Sequence, residues 1–204
     1  MRETLIKVAI EKFGQKGFEG VGTREIAAAA GTTMSSIRYH FGGKEGLYEA
    51  AASHILTSAG EMILGSGQPL PRPELSRPEQ IDCLIEFLLR AARLMLSEES
   101  AAFALFMARL QQSPNPENIA MLRRNMLPMM DGYIDQVRLL KPGLSEAEVR
   151  ATVFFLFNLT VSLRYSRAAL GVMLGRVELL EEDSALLLRR LEAIARSVLA
   201  EEDR

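Results

Sequence analysis

At 204 residues with a net charge of -2, the chain is long enough for one domain or two small ones, and it lacks the overall basicity of a general polyanion binder. Leu, Ala, Glu, Arg and Met abound, Trp is absent and β-branched runs are few, which predicts an all-α fold. A single cysteine, Cys83, excludes an intrachain disulfide and suits a small core filler among Ile81, Leu84 and Ile85. Helix 1 is predicted over about Glu3 to Gln15, with Leu5, Val8, Ala9 and Phe13 at helical spacing and Lys7, Glu11 and Lys12 outside. Charges interrupt its apolar residues every few positions, so the start reads as an amphipathic helix and not a signal peptide, and a cytoplasmic location is expected.

The next stretch, TREIAAAAGTTMSSIRYHFGGK from Thr23 to Lys44, reads as two short helices held by a glycine turn. Ile26, Ala27 and Ala30 share one face of the first. Gly31 allows the positive φ of a helix exit, and Thr33 is expected to cap the second helix, which ends near Phe41. Ile37 and Phe41, four apart, face inward with Leu5, Ala9, Phe13, Phe18, Ile26 and Ala30. Met34, Ser35, Ser36, Arg38, Tyr39 and His40 are left on the other sides, without an acid. That surface suits a polyanion, as in a helix-turn-helix whose second helix enters the major groove of double-stranded DNA. Ser35 and Ser36 can bond base edges or phosphates, Arg38 a guanine or a phosphate, Tyr39 and His40 phosphate oxygens. Thr23 and Lys44 can reach the backbone from the starts of their helices. Between Met1 and Leu47 seven Lys and Arg outnumber five Glu, whereas Glu178, Glu181, Glu182 and Asp183 make the far end acidic.

A fourth helix, about Lys44 to Leu64, would span ~30 Å and join the N-terminal unit to the rest as a rigid strut. Gly65 to Pro78 is dense in Pro and Gly and reads as a loop. Helices follow over about Glu79 to Leu96, Glu99 to Gln112 and, after a break at SPNPE, Asn118 to Leu140, with a kink expected at Pro128. Ser145 with Glu148 three residues on is a capping-box signature for a long helix through about Leu174. The last helix, about Ser184 to Leu199, sets Leu187, Leu191, Ile194 and Val198 at seam spacing. With the aromatic run VFFLF these supply two adhesive faces. The apolar run Ala151 to Leu163 is bounded by Arg150 and Arg164 and is shorter than the ~20 residues a membrane span requires, so it reads as a buried helix and no membrane partner is expected.

TREIAAAAG, then a short helix ending in YHF, then GGKEGLY, resemble the DNA-binding domain of the TetR family of transcriptional repressors, over about Glu3 to Leu47. The resemblance implies that Thr23, Arg24, Thr33, Ser35, Ser36, Tyr39, His40 and Lys44 occupy the family's DNA-contacting positions. Three positions depart from its pattern. Thr32 stands where a valine is usual, Gly43 where a capping serine or asparagine is usual, and Arg38 where a tyrosine is usual, which changes what the recognition helix can read. LFMARLQQSPNPE also resembles the CecR-like branch. By the same resemblance, residues 1–47 form the DNA-binding domain and residues 48–204 a helical ligand-binding and dimerisation domain. A homodimer is then joined by the last two long helices, and a small-molecule effector is bound.

For that effector, polar residues set in apolar helices are the candidates: Arg109, Gln111, Asn158, Thr160, Arg164 and Tyr165. Each buried arginine must find an acid, an anionic ligand or water. Met107, Met121, Met126, Met129, Met130 and Met173 could line an adaptable pocket. An enzyme is not expected: GFEGVG follows no strand, His40 and His54 are the only histidines, and no GxSxG, HExxH or CxxC occurs, so neither cofactor nor metal is implied. The expectation is a ligand-responsive, homodimeric repressor on a pseudo-palindromic operator. The alternatives are an activator or ligand-independent regulator on the same scaffold, or a helical protein-interaction module with a vestigial DNA head.

Overall fold

The computed structural model describes residues 1–64, 70–98, 100–112 and 116–201, all helix, turn or loop. The all-α expectation holds. Residues 65–69 of the Pro- and Gly-rich loop, Glu99 and the SPN of the expected break at SPNPE lie outside the described residues. Ten helices occur among the described residues: α1 (Arg2–Lys16), α2 (Thr23–Ala29), α3 (Met34–Phe41), α4 (Lys44–Leu64), α5 (Arg77–Leu96), α6 (Ser100–Gln112), α7 (Pro116–Leu140), α8 (Glu146–Tyr165), α9 (Arg167–Met173) and α10 (Glu181–Ala200). None of them is long and apolar enough to cross a membrane.

The helices fall into two compact units. One comprises Met1–Gly60 with Ala101–Leu127, the other Glu61–Ser100 with Pro128–Arg204. The division therefore falls inside α4 and inside α7, where Pro128 removes a backbone donor from the helix interior.

In the first unit the expected three-helix core forms. Leu5, Ala9, Phe13, Ile26, Ala30 and Ile37 are buried, with Phe18 and Phe41 packed against them. Leu47, Ala51 and Ile55 extend this core along α4, and Phe106, Leu110 and Met121 extend it onto α6 and α7. Phe13, Phe18, Tyr48 and Phe106 form a chain of ring contacts with centroids 5.1 to 5.9 Å apart. Gly46 is what lets α4 start hard against the end of α3, since a Cβ there would sit 1.9 Å from the Phe41 carbonyl oxygen.

The second unit packs α5 against α8 and α10. Two capping boxes start its helices: Glu79 accepts from the Ser76 N–H at 2.9 Å, and Glu148 from the Ser145 N–H at 2.8 Å. The second was expected from the sequence; the first lies just upstream of the helix start expected at Glu79.

Two expectations are corrected here. The helix from Ser145 does not run through Leu174 but stops at Tyr165, where Ser166 leaves helical geometry at φ -103°, ψ 18°, before α9. The Leu187, Leu191, Ile194, Val198 seam also divides. Only Leu191 of the four is buried, and the inward row of α10 is Leu191, Ala195 and Leu199, whereas Ile194 and Val198 are 43% and 37% exposed. In VFFLF the same split appears: Val153 and Leu156 are buried, but Phe154 and Phe155 are 59% and 67% exposed, their rings 5.6 Å apart.

Candidate nucleic-acid interface

Local chemistry sets the helix pair. Gly31 closes α2 at φ 64°, in the left-handed region that a side chain disfavours. Thr33 then adopts the extended N-cap conformation of α3, φ -111° and ψ 159°. Its hydroxyl does not cap the helix, contrary to expectation. It lies 3.5 Å from Ser36 Oγ, which is also bonded to Thr32 Oγ1 at 2.8 Å, so three hydroxyls satisfy one another at the start of α3.

With Ile37 buried, α3 presents Met34, Ser35, Arg38, Tyr39 and His40 to solvent, and Ser36 half-exposed. Tyr39 is 85% exposed, its ring edge-on to His40 at 5.0 Å. Thr33 and Arg24 are exposed beside this surface. Neither Arg24 nor Arg38 has an ion-pair partner among the described residues, so both guanidiniums are open to an external anion. Thr23 is half-buried and donates to the Met34 sulfur at 3.9 Å, which ties the first turn of α2 to the first turn of α3.

The one acid between Thr23 and Lys44 is Glu25. Glu25 accepts from Lys16 at 2.7 Å, with Lys12 at 3.4 Å, and the Lys16 hydrogen bond leads in holding its carboxyl below the ordinary carboxylate range. The motif's own carboxylate is thus neutralised within the unit rather than set against a polyanion. Lys44 differs from the simple expectation of a free cation: it is half-buried, with Nζ 4.4 Å from the centroid of the Phe18 ring.

The ligand candidates divide between the units. Arg109 and Gln111 of α6 are exposed in the first, and Arg109 lines a cleft of 670 Å³ formed by the α1–α2 turn, the start of α4 and the start of α7. In the second unit Asn158 donates to the Phe154 carbonyl at 2.8 Å, and Thr160 to the Phe157 carbonyl at 2.6 Å, bonds that tie them to their own helix. Arg164, its side chain 10% exposed, lies 3.5 Å from Glu98, so its charge is met by the acid its burial requires. Tyr165 is 42% exposed, and desolvation pushes its phenol up to about 12. Met173 is 85% exposed; Met107 and Met130 are core, and Met121, also buried, lines the cleft.

Tyr133 was missed. It is 1% exposed, its ring 4.8 Å from that of Phe87, and its hydroxyl has no hydrogen-bond partner among the described residues. Burial raises its pKa far above the ordinary phenol value. A tyrosine in the Met130, Ile134, Val137 register was the available signal, because a buried hydroxyl left unpaired costs ~1 to 3 kcal/mol.

Residues 5–51 match the profile described as bacterial regulatory proteins, tetR family. The chain is 33% identical over 117 residues to the HTH-type transcriptional dual regulator CecR of Shigella flexneri, covering 55% of this chain and 52% of that protein. To the HTH-type transcriptional regulator BetI of Brucella anthropi it is 30% identical over 118 residues, 58% of each. The chain thus spans about half the length of the curated relatives it matches. A transcriptional regulator from Rhodococcus shares the fold over 97% of both chains, with a TM-score of 0.65 at 17% identity. By the match at residues 5–51 and the relatives, the N-terminal region of the chain is that of the tetR family of bacterial regulatory proteins, carried on a helical fold shared over the rest of the chain.

Proposed function

We propose that the chain is a transcriptional repressor that binds a pseudo-palindromic DNA operator as a homodimer and releases it on binding a small molecule. The observation that carries the reading is the outer side of α3: exposed hydroxyl, phenol, imidazole and guanidinium groups with no acid, and with Arg24 and Arg38 unpaired. In this reading Met34, Ser35 and Arg38 approach base edges, and Thr23, Arg24, Thr33, Ser36, Tyr39, His40 and Lys44 position the backbone.

Functionally the division falls at residues 1–47 for DNA and 48–204 for dimerisation and effector binding, within the cytoplasm. The dimer is supported by α8 and α10, two helices in contact that leave Phe154, Phe155, Ile194 and Val198 exposed. Effector control is supported by α4, which begins at Lys44 beside the recognition helix and continues past Gly60 into the second unit's sequence. An effector acts to the extent that it binds the DNA-incompetent form more tightly.

The test is fluorescence anisotropy on the DNA upstream of the chain's own gene, at ~150 mM salt with excess random competitor. Competitor-resistant binding that saturates at two chains per site is expected. Binding no tighter than to random DNA, there and across a genomic selection, overturns the reading.

A further inference from the structure

We infer that the cleft of the first unit is a binding site for an organic cation with an apolar or aromatic body, placed to act on Lys44 directly. The inference deepens the effector reading and rests on it only for its consequence at DNA. Every lining residue belongs to the one unit. Its 670 Å³ lies within the ~300 to 1,000 Å³ range of small-molecule sites.

Charge decides the class of occupant. Two of the three basic side chains on the walls are already committed: Lys16 to Glu25 at 2.7 Å, and Arg124 to Glu49 at 2.6 Å. Glu19, Glu45 and Glu117 have no ion-pair partner among the described residues, and against these three carboxylates stands the single guanidinium of Arg109. An incoming anion would face the surplus of negative charge; a cation would meet it.

Shape and polarity narrow the class further. Phe18, Tyr48 and Met121 supply an apolar wall, and the Phe18 and Tyr48 rings meet edge to face at 5.1 Å. A small inorganic cation has no use for that surface, whereas an organic cation buries its body there and turns its charge to the carboxylates. Phe18 already receives a cation, the Lys44 ammonium 4.4 Å from its centroid.

The coupling follows from that contact. Lys44 is the cation expected to reach a DNA phosphate, and it shares Phe18 with the cleft. An occupant that stacks on Phe18 competes with Lys44 for the ring, repels its ammonium and changes the position of the start of α4. The effector signal then needs no relay through the second unit.

Tetraphenylphosphonium and tetraphenylborate, nearly identical in shape and opposite in charge, separate these claims by titration calorimetry on the full chain. The cation is expected to bind once per chain, at least tenfold tighter than the anion. The Glu45→Gln, Glu117→Gln double variant is expected to weaken it about tenfold with an unchanged melting temperature, and Tyr133→Phe to leave it intact. No binding of either probe, equal binding of both, or full affinity in the double variant overturns the site. Loss on Tyr133→Phe in place of the glutamate variant also overturns it, by placing the probe in the other unit. Operator anisotropy is run alongside: a chain that binds the cation but not its operator keeps the site and loses the regulator reading. A chain that binds the operator but not the cation loses only the site.

Discussion

Arg38 and Lys44 carry the same charge but meet different surroundings, and so make different predictions. Arg38 is exposed and unpaired on the recognition helix, free to aim at a base edge. Arg38→Ala is therefore expected to relax base preference at one operator position, with a loss of ~1 to 3 kcal/mol confined to the preferred sequence. Lys44 sits over Phe18 at the start of α4. Lys44→Ala is expected to weaken binding to all sequences alike and to lower the salt slope by about one. Anisotropy titrations across salt and across single-base operator variants check both; a uniform loss for Arg38→Ala would reassign it to the backbone. The identities of these side chains were legible in the sequence. That the Thr33 hydroxyl would turn to Ser36 rather than cap α3 was not, because three neighbouring hydroxyls offer several pairings of similar energy.

Glu146 gives a residue-scale prediction of a different kind. Its carboxylate takes the Arg138 guanidinium at 2.9 Å and Arg150 Nε at 2.6 Å in the first turn of α8, and the Arg138 hydrogen bond leads in holding its pKa below the ordinary carboxylate value. A depressed folded-state pKa means that the unfolded chain binds the proton more readily. The stabilisation is therefore fully present above the ordinary glutamate pKa of about 4.3 and is lost as pH falls through the lower folded value. Wild type is expected to melt above Glu146→Gln at neutral pH, with the gap closing in that acid window. A gap independent of pH would assign the difference to packing instead of charge. Because the site is exposed to solvent, salt is expected to narrow the gap as well.

At the scale of elements, periodicity located most helices, yet it could not say which apolar row of a helix faces its own chain. In α10 the spacing of Leu187, Leu191, Ile194 and Val198 reads as one seam. Packing on α5 instead takes up Leu191, Ala195 and Leu199, a row of strict fours, and leaves Ile194 and Val198 outside. In α8 the uninterrupted run VFFLF hides the same division, because five apolar residues in succession carry no period. The cleft of the first unit was less legible still. Its walls come from four separate stretches of chain, and of the polar and methionine candidates only Arg109 and Met121 lie on it. The uncovered residues of α8 and α10 make the element-scale prediction. Phe155→Asp replaces a side chain 67% exposed in the single chain, so the monomer is expected to keep its melting profile in a helical, folded form. Sedimentation should show the dimer shifted to monomer, since a carboxylate buried in an isologous interface meets its own copy across the axis. An unchanged dimer would move the interface off α8.

For the whole molecule, the question is what one effector molecule can change in a pair of recognition helices. Two such helices read successive major-groove faces only when their centres lie about one helical turn of ~34 Å, or a multiple, apart. In the proposed dimer, operator affinity is therefore expected to follow their separation, and α4, which starts beside α3, is the element proposed to alter it. A spin label at Gln15→Cys on α1, in a Cys83→Ser background, reports that separation from an exposed position outside the proposed DNA contacts. On operator DNA a single narrow distance is expected. Saturating tetraphenylphosphonium, or any small molecule that releases the operator, is expected to shift or broaden it by several ångströms while the dimer persists. Release with the same narrow distance would mean that control does not act through the separation of the heads, and would leave competition for Phe18, which withdraws Lys44 locally, as the remaining route from effector to DNA. Release with dissociation to monomers would instead place control at the α8 and α10 face.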